Sequence, residues 1–239
     1  MKTIISSVNN EKIKFLKKVK SGKEKEYFLI EGYHLVEEAI KANLVKEIYE
    51  INYKKVIYEK SIIITENVLN SITSTKTPEG IVALCIKKDS LIRPINKVVF
   101  LDDVQDPGNV GTIIRSSLAF GFDTIISNVN FYNEKIVRSS QGAIFKVNLI
   151  NYKNPVEIIN EYKKKGYKTY ATVLDQEAVE FKKVIFENNN IIVILGNEGK
   201  GIRQEILNIS DKKIYIPIDF ESLNVAVAAG IILCKIYNK

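Results

Sequence analysis

Polar side chains able to bind a ligand or move a proton cluster at three places, each where an apolar run gives way to a turn. The first, Asp106 to Arg115, reads Asp-Pro-Gly-Asn-Val-Gly-Thr-Ile-Ile-Arg. The second, Leu195 to Gly201, reads Leu-Gly-Asn-Glu-Gly-Lys-Gly, and the third, Ile216 to Ala228, holds Ser222 and Asn224. Side-chain and free backbone N–H groups at a helix start bind polar or anionic ligands. The three stretches are therefore candidate parts of one binding site.

Most of these side chains also have an ordinary structural explanation when taken singly. Asn109 and Ser222 are typical helix caps, and Arg115, about one and a half turns beyond Asn109, is a typical exposed helical arginine. Glu198 is different, because a carboxylate buried in a glycine-rich turn is unfavourable without a cation or a hydrogen-bond donor. The sequence thus leaves the structural and functional alternatives open at each position considered alone.

The glycines of the second stretch permit a tight turn and close approach of a ligand to the backbone. Their positions, Gly196, Gly199 and Gly201, match neither the phosphate-binding pattern GxxxxGK followed by Ser or Thr nor the dinucleotide pattern GxGxxG. A standard nucleotide-phosphate loop is therefore excluded here.

Metal and thiol chemistry find little support in the sequence. His34 is the only histidine and has no cluster of cysteines or carboxylates at ligand spacing around it. Cys85 and Cys234 lie among apolar residues without CxxC spacing, which predicts two buried, unreactive thiols. We expect no metal site.

The surrounding pattern predicts two domains. From Tyr27 to about Lys88, short apolar runs alternate with amphipathic stretches, which predicts a small α/β domain, and the polar stretch Asp89 to Pro94 predicts a linker. Strands are then predicted at Val98–Asp102, Thr124–Ile126, Lys146–Leu149, Thr169–Val173, Ile191–Leu195 and Lys213–Ile216. Helices are predicted at Asn109–Phe120, Glu134–Ser139, Pro155–Lys165, Gln204–Asn208 and Leu223–Tyr237. This alternation is typical of a mostly parallel sheet covered on both faces, which binds ligands at the carboxyl ends of its strands.

Composition limits location and partners. No apolar run approaches the roughly 18 residues of a membrane span, and the first residues lack a signal-peptide pattern, so we expect a cytoplasmic protein without membrane contact. The net charge of +7 accompanies a general bias toward Lys, Ile and Asn, so the total charge is weak evidence for a polyanionic partner. Residues 1–25 nevertheless hold eight lysines against Glu11 and Glu24, a local charge of +6. Ile13, Leu16 and Val19 fall at helical spacing there, which indicates either a solvated helix face or a phosphate-binding one.

Taken together, the three stretches resemble the three motifs of the SpoU, or TrmH-like, RNA 2′-O-ribose methyltransferases of the SPOUT class. The resemblance covers residues 95–239. Phe28 to Ala39 and Thr77 to Ala83 further resemble the L30e/L7Ae-type, ribosomal-protein-like domain that precedes the catalytic domain in the rRNA-modifying branch. The resemblance implies an RNA substrate-binding domain at residues 1–90 and a methyltransferase domain at residues 95–239.

The resemblance implies a small N-terminal α/β domain followed by a SPOUT-type, mostly parallel sheet with a C-terminal trefoil knot. It also implies S-adenosylmethionine bound in the knot and a homodimer formed through the C-terminal domain. The expected activity is 2′-O-methylation of a ribose in rRNA, with 23S rRNA as the expected substrate. The alternatives are a tRNA ribose methyltransferase, which the leading domain disfavours, and a non-catalytic RNA-binding relative, which the intact motif residues disfavour.

The resemblance finally assigns roles to single residues. Cofactor contacts fall to Gly196, Ile216 and Leu223, and catalytic or RNA-facing roles to Asn109, Arg115, Glu198, Ser222 and Asn224, with Arg138 as a further RNA-side residue. A guanidinium stays protonated, so Arg115 is expected to hold an RNA phosphate and steer the hydroxyl. That phosphate, or a transiently deprotonated Arg115, is expected to accept the proton of the ribose 2′-hydroxyl. Ser222 and Asn224 are expected to fix the ribose and the loop, and Glu198 to offset nearby positive charge.

Overall fold

The fold is described from a computed structural model, which covers residues 4–51, 56–87, 91, 93–175 and 177–238. The chain divides into two compact units, Met1–Asp89 and Ser90–Lys239. Residues 88–90 and 92, in and beside the predicted linker, lie outside the described residues.

The first unit is a small α/β domain, as predicted. Its elements are β1 (Ile4–Ile5), α1 (Glu11–Lys20), β2 (Tyr27–Glu31), α2 (Tyr33–Lys41), β3 (Val45–Ile51), β4 (Ile62–Ile64), α3 (Glu66–Ile72) and β5 (Ile81–Ile86). The sheet order is β1-β4-β3-β5-β2, with β5 antiparallel to both of its neighbours. Ile13, Leu16 and Val19 are buried, so the predicted lysine-rich helix exists and turns its apolar side into the core.

The second unit alternates strands and helices. Its strands are β6 (Lys97–Asp102), β7 (Thr124–Ser127), β8 (Asn148–Asn151), β9 (Lys168–Thr172), β10 (Val179–Glu180), β11 (Ile191–Gly196) and β12 (Lys212–Tyr215). Its helices are α4 (Pro107–Ala119), α5 (Glu134–Ser139), α6 (Pro155–Lys164), α7 (Gln204–Ile209) and α8 (Val225–Tyr237), with short 3-10 turns at Ala143–Phe145 and Phe181–Lys183.

These strands form a parallel sheet in the order β10-β12-β9-β11-β6-β7-β8. The central strands β6 and β11 are almost wholly buried, which explains their continuous apolar sequence. Their pairing places Gly196 opposite Asp102 at the carboxyl edge of the sheet. The turns after β6 and β11 therefore leave the sheet side by side.

Some predicted boundaries and burial states were wrong. Helix α4 begins at Pro107 rather than Asn109, since Asp106 caps it and proline suits a first helical position. Strand β8 begins at Asn148 rather than Lys146, because Lys146 is the C-terminal cap of the 3-10 turn Ala143–Phe145. Cys85 is buried as expected, but Cys234 is only partly buried. Within the described ranges, no helix is long and apolar enough to cross a membrane.

Candidate active site

The turn between β6 and α4 is shaped by Asp106. Its carboxylate accepts hydrogen bonds from the backbone N–H of Gly108 at 2.6 Å and of Asn109 at 3.1 Å. The Lys135 ammonium donates to the same carboxylate at 3.0 Å. Asp106 and not Asn109 is thus the helix cap, and the Asn109 side chain is left to make contacts outside its own helix.

The turn after β11 is a narrow loop with Glu198 near its tip. Asn197 and Gly201 close it through reciprocal backbone hydrogen bonds of 3.1 and 2.9 Å. A Cβ atom added at Gly196 would lie 2.4 Å from the Gly201 carbonyl carbon, so no side chain fits at that position. The sequence requires glycine there because the returning backbone occupies the space.

The third turn joins β12 to α8. Asn224 caps α8 by accepting hydrogen bonds from the backbone N–H groups of Ala226 at 2.9 Å and Val227 at 3.3 Å. Ser222 is exposed and lies two residues before the cap, so the expectation that a helix opens at Ser222 was wrong. Asn224 offers the same kind of acceptor as serine but lies directly before the first helical residue.

One hydrogen-bonded chain joins all three turns. The Asn109 side-chain amide donates to Glu198 Oε1 at 2.9 Å, and the Asn224 amide donates to Asn109 Oδ1 at 3.0 Å. The backbone N–H groups of Gln105 and Asp106 also donate to the Glu198 carboxylate, at 3.2 and 3.3 Å. The orientations of the two amides follow from this network, since each amide donates and accepts in turn.

The Glu198 carboxylate is held in its ionised form. Partial burial raises its pKa, but the hydrogen bonds from Asn109 and from backbone N–H groups outweigh this effect and bring the pKa below its ordinary value. The residue is exposed rather than enclosed in the loop, so the expected cost of burial was overestimated. The donors that the sequence argument required are nevertheless present.

The contact between Asn224 and Asn109 fixes the path of the third turn. Strand β12 lies three positions from β6 in the sheet, which corresponds to roughly 14 Å. Residues 216–224 must cross the carboxyl ends of β9 and β11 to reach α4, a distance that nine residues at about 3.3 Å each can span. Helix α8 then packs against α4. Residues 216–224 are called the crossing segment below.

The crossing segment has backbone groups that are not used in hydrogen bonds to described residues. Residues 217–223 make no hydrogen bond to any residue that the structure describes. Ile216 and Leu223, at its two ends, are partly buried. Free backbone N–H and C=O groups beside apolar side chains suit a flat heterocycle, which presents polar edges and apolar faces. The structure thus places Gly196, Ile216 and Leu223 around the same edge of the sheet.

The remaining predicted residues are not joined to this network. Arg115 is exposed on α4, and no hydrogen bond or ion pair connects its side chain to another described residue. Its spacing of seven residues from Gly108 and three from Thr112 places all three on one face of the helix. Ser222 is likewise without a hydrogen bond within the described part of the chain, and Arg138 is partly buried on α5.

An ion pair that was not predicted from the sequence joins the end of β6 to the start of α7. Asp102, the last residue of β6, is 1% exposed, and its carboxylate accepts hydrogen bonds from Arg203 N at 2.8 Å and Nε at 2.7 Å and from Arg203 Nη2. The Tyr152 hydroxyl accepts a hydrogen bond from Arg203 Nη2 at 3.3 Å. Burial of Tyr152, and to a smaller extent the negative charge of the nearby Asp102, raises the pKa of this hydroxyl to about 12. A carboxylate ending an apolar strand was the available signal.

No group of three or more His, Cys, Asp or Glu side chains arranged to hold a metal is found among the described residues. Carboxylates near the candidate site instead accept hydrogen bonds from amides and cations.

Comparisons with known proteins agree with these features. The SpoU rRNA Methylase family matches residues 96–234, and the MRM3-like substrate binding domain matches residues 10–83. The chain is 35% identical over 243 residues to the 23S rRNA (guanosine(2553)-2'-O)-methyltransferase RlmP of Bacillus subtilis (strain 168), covering 96% of this chain and 97% of that protein. It is also 35% identical over 147 residues to a tRNA (guanosine(18)-2'-O)-methyltransferase of Aquifex aeolicus (strain VF5), covering 57% of this chain and 66% of that protein.

A solved structure supports the same conclusion for the fold. The AdoMet-bound rRNA methyltransferase from Sinorhizobium meliloti superposes with a TM-score of 0.84 at 25% sequence identity, covering 99% of this chain and 97% of that chain. Both units of the present chain are therefore included in the match.

Proposed function

The chain belongs to the SpoU rRNA methylase family, and on this premise we propose that it transfers a methyl group from S-adenosylmethionine to the 2′-hydroxyl of a ribose in 23S rRNA. The match to the rRNA-modifying relative of Bacillus subtilis spans almost the whole of both chains. The match to the tRNA-modifying relative of Aquifex aeolicus covers little more than half of this chain. The rRNA substrate is favoured because both units have a counterpart in the rRNA-modifying relative.

The observation that carries the proposal is the chain of hydrogen bonds from Asn224 through Asn109 to Glu198. It brings three turns that are distant in sequence to one edge of the sheet, where open parallel sheets bind ligands. Helix capping explains why an asparagine occupies position 224, but it does not explain the hydrogen bond from the Asn224 amide to Asn109. The network is suited to holding the walls of a cleft at fixed separation.

The cofactor fits the groups present at this edge. Residues 217–223 would supply backbone donors and acceptors to the adenine edge, while Ile216 and Leu223 would contact its faces. Gly196 lets the β11 loop lie close to the sheet edge, because no side chain occupies that position. When bound, S-adenosylmethionine supplies an activated, positively charged methyl donor. The ionised Glu198 stabilises positive charge near this cleft.

The substrate side of the cleft is assigned to Arg115, Ser222 and Asn224. Arg115 is exposed and unpaired among the described residues, so its guanidinium is available for an RNA phosphate. Holding that phosphate would orient the neighbouring 2′-hydroxyl for in-line attack, and the phosphate or a transiently deprotonated Arg115 would accept the proton. Ser222 and Asn224 would position the ribose, and Arg138 would add a contact on the RNA side.

The proposal includes the larger architecture of the family. Residues 1–90 would bind the RNA substrate and residues 95–239 would carry the methyltransferase site. The C-terminal segment would form the family's trefoil knot, and the return of the chain from β12 to the Asn109 contact on α4 supports this part of the proposal. A homodimer would form through the C-terminal domain, where Val227 and Tyr237 of α8 leave apolar surface exposed at 52% and 58%. The protein would act in the cytoplasm.

Two measurements test the proposal. Titration of the protein with S-adenosylmethionine should show saturable binding, and its absence would leave only a non-catalytic RNA-binding role. Mapping of 2′-O-methylated nucleotides in cellular RNA, with and without the protein, should show one 23S rRNA position that depends on it. Loss of methylation only in tRNA would establish the alternative substrate.

A further inference from the structure

We propose that the contacts of Arg203 with Asp102 and of Asn197 with Asp103 form a clamp that fixes the position of Glu198, and that Asp102 and Arg203 are positioning residues for the methyl-transfer reaction. The claim about the reaction rests on the function proposed above. The claim about Glu198 rests on geometry alone. The clamp is defined as Asp102, Asp103, Asn197 and Arg203.

The clamp holds both ends of the loop that carries Glu198. At the first end, the Asn197 side-chain amide donates to the Asp103 carbonyl at 2.8 Å. At the second end, Arg203 donates from its backbone N–H and its guanidinium to the Asp102 carboxylate. The two acceptors are consecutive, since Asp102 is the last residue of β6 and Asp103 the first residue after it, so both ends of the loop are attached where the β6–α4 turn begins.

The acceptor side of the clamp is itself constrained. Asp103 has φ of +58°, a left-handed conformation that is uncommon for residues other than glycine. Its carboxylate accepts hydrogen bonds from Gln105 Nε2 at 2.7 Å and from Asn128 Nδ2 at 3.0 Å, which stabilise this turn. The Tyr152 hydroxyl donates to the Leu101 carbonyl at 3.3 Å and accepts from Arg203. The clamp is therefore attached to fixed parts of the sheet.

The position of Glu198 depends on this attachment. Two of the donors to its carboxylate, Gln105 N and Asp106 N, are backbone groups that cannot adjust by side-chain rotation. They reach Glu198 only while the β11 loop keeps its position relative to the β6–α4 turn. A shift of the loop would also withdraw the acceptor of the Asn109 amide. Releasing the clamp should thus weaken the whole series of hydrogen bonds that runs from Glu198 through Asn109 to Asn224.

Two conservative substitutions release the clamp by different routes. Asp102→Asn keeps the side-chain volume but removes the charge, and Arg203 is 44% exposed, so its charge can turn to water. Arg203→Lys keeps the charge but cannot reproduce the several N–H donors of the guanidinium. The matched control is Asp211, which pairs with Lys163 at 3.1 Å and binds Thr169 at the start of β9. Asp211→Asn therefore weakens an ion pair at the opposite edge of the same sheet.

The first readout is the pKa of the Glu198 carboxyl, measured by NMR titration of the full-length protein labelled at glutamate. Asp102→Asn and Arg203→Lys should raise this pKa relative to wild type because its donors move away, whereas Asp211→Asn should leave it unchanged. Should Asp102→Asn fail to fold, Arg203→Lys decides the result alone. An unchanged Glu198 pKa in a folded clamp variant would overturn the proposal, whether or not the protein is a methyltransferase.

The second readout is single-turnover methylation of 23S rRNA at saturating S-adenosylmethionine. Both clamp variants should lose at least about tenfold in rate, and Asp211→Asn should keep the wild-type rate despite any loss of thermal stability. A wild-type rate in both clamp variants would limit the clamp to a structural role and overturn its positioning function. Wild-type protein that methylates no RNA would refute the proposed function instead, while the Glu198 titration would still decide whether the clamp positions that carboxylate.

Discussion

Arg115 is an exposed cation of α4 without a partner among the described residues. Its proposed role is in the methyl-transfer step. Arg115→Ala and Arg115→Lys should each slow methyl transfer at least about a hundredfold, the usual size of general acid–base or orienting assistance. Lysine keeps the charge but loses the two-pronged geometry that matches a phosphate. Single-turnover methylation at saturating RNA and S-adenosylmethionine measures the rate, and calorimetry should show normal cofactor affinity.

Arg93 provides the matched control for Arg115. It is exposed and its backbone pairs with Asn148, the first residue of β8, at the amino edge of the sheet. Arg93→Ala should keep the wild-type rate. If Arg115→Lys also turned over at that rate, Arg115 would be a docking contact and the proton would leave by another route.

Glu198 gives a prediction on pH dependence. Its folded-state pKa lies below the ordinary value of 4.5, so the ionised carboxylate stabilises the folded protein. This stabilisation is fully present above the unfolded-state pKa and is lost as pH falls through the folded-state pKa. Glu198→Gln should therefore destabilise the protein at pH 7 and have progressively less effect below about pH 4.5. Urea unfolding of both proteins between pH 7 and pH 3 measures this difference, and a constant difference would show that Glu198 contributes through packing only.

The sequence identified the members of the hydrogen-bonded chain but not their contacts. Asn109, Glu198 and Asn224 were all predicted as site residues, while their capping roles were partly misassigned. The reason is physical: Asp, Asn and Ser are nearly equal as caps, so local preference alone does not choose Asp106 over Asn109 or Asn224 over Ser222. The Asp102–Arg203 ion pair joins residues 101 positions apart and has no local pattern at all.

At the scale of elements, the β11 loop depends on Gly196. In Gly196→Val the new Cβ would lie 2.4 Å from the Gly201 carbonyl carbon and 2.5 Å from Ile202 N, so the loop must move. We expect loss of S-adenosylmethionine binding in calorimetry. The control is Gly199→Ala in the same loop, where the nearest atom is Asn197 Oδ1 at 3.7 Å. Wild-type affinity in Gly196→Val would place the cofactor site elsewhere.

Helix α1 is less free to bind RNA than its charge indicates. Lys12 pairs with Glu47, Lys14 pairs with Glu11, and Lys20 donates to the Thr73 carbonyl. Lys18 is exposed and makes no ion pair with a described residue. Of the five lysines from Lys12 to Lys20, Lys14 and Lys18 are exposed, and their side chains form no hydrogen bond or ion pair with a described residue outside α1, so these two are the ones expected to contact phosphates.

Replacing Lys14 and Lys18 by glutamine should weaken RNA binding and reduce the slope of log K against log salt by roughly one to two, since each phosphate contact contributes about 0.7 to 0.9. Lys165 and Lys164 at the end of α6 are the matched pair, because Lys165 is ion-paired with Glu161 and Lys164 is exposed. Their replacement should leave the slope unchanged. An unchanged slope for the α1 variant would identify this helix face as merely solvated.

At the scale of the whole molecule, the division into two α/β units and the mostly parallel second sheet were predicted correctly. Periodicity supplied this information, since the buried strands β6 and β11 are continuous apolar runs. Strand order was beyond such reasoning: β11 lies between β9 and β6, and β12 lies beyond β9. Only long-range packing decides that order, and the return of the chain from β12 to α4 depends on it.

The two units should also separate by function. Their apolar cores are built from different residues, Ile13 and Leu16 among those of the first and Val98 and Ile192 among those of the second. A protein comprising residues 91–239 is therefore expected to fold and to bind S-adenosylmethionine with near wild-type affinity. Its affinity for 23S rRNA should fall at least about tenfold, about 1.4 kcal/mol, because the proposed RNA-binding unit is missing.

Calorimetry with the cofactor and filter binding with 23S rRNA test this separation, with the full-length chain as the reference for both. An unfolded fragment would mean that the second unit requires the first for stability. A folded fragment with full rRNA affinity would remove the RNA-binding role from residues 1–90 and assign it to the second unit. Retained cofactor binding with reduced rRNA affinity is the result expected if one unit recognises the RNA and the other carries the reaction.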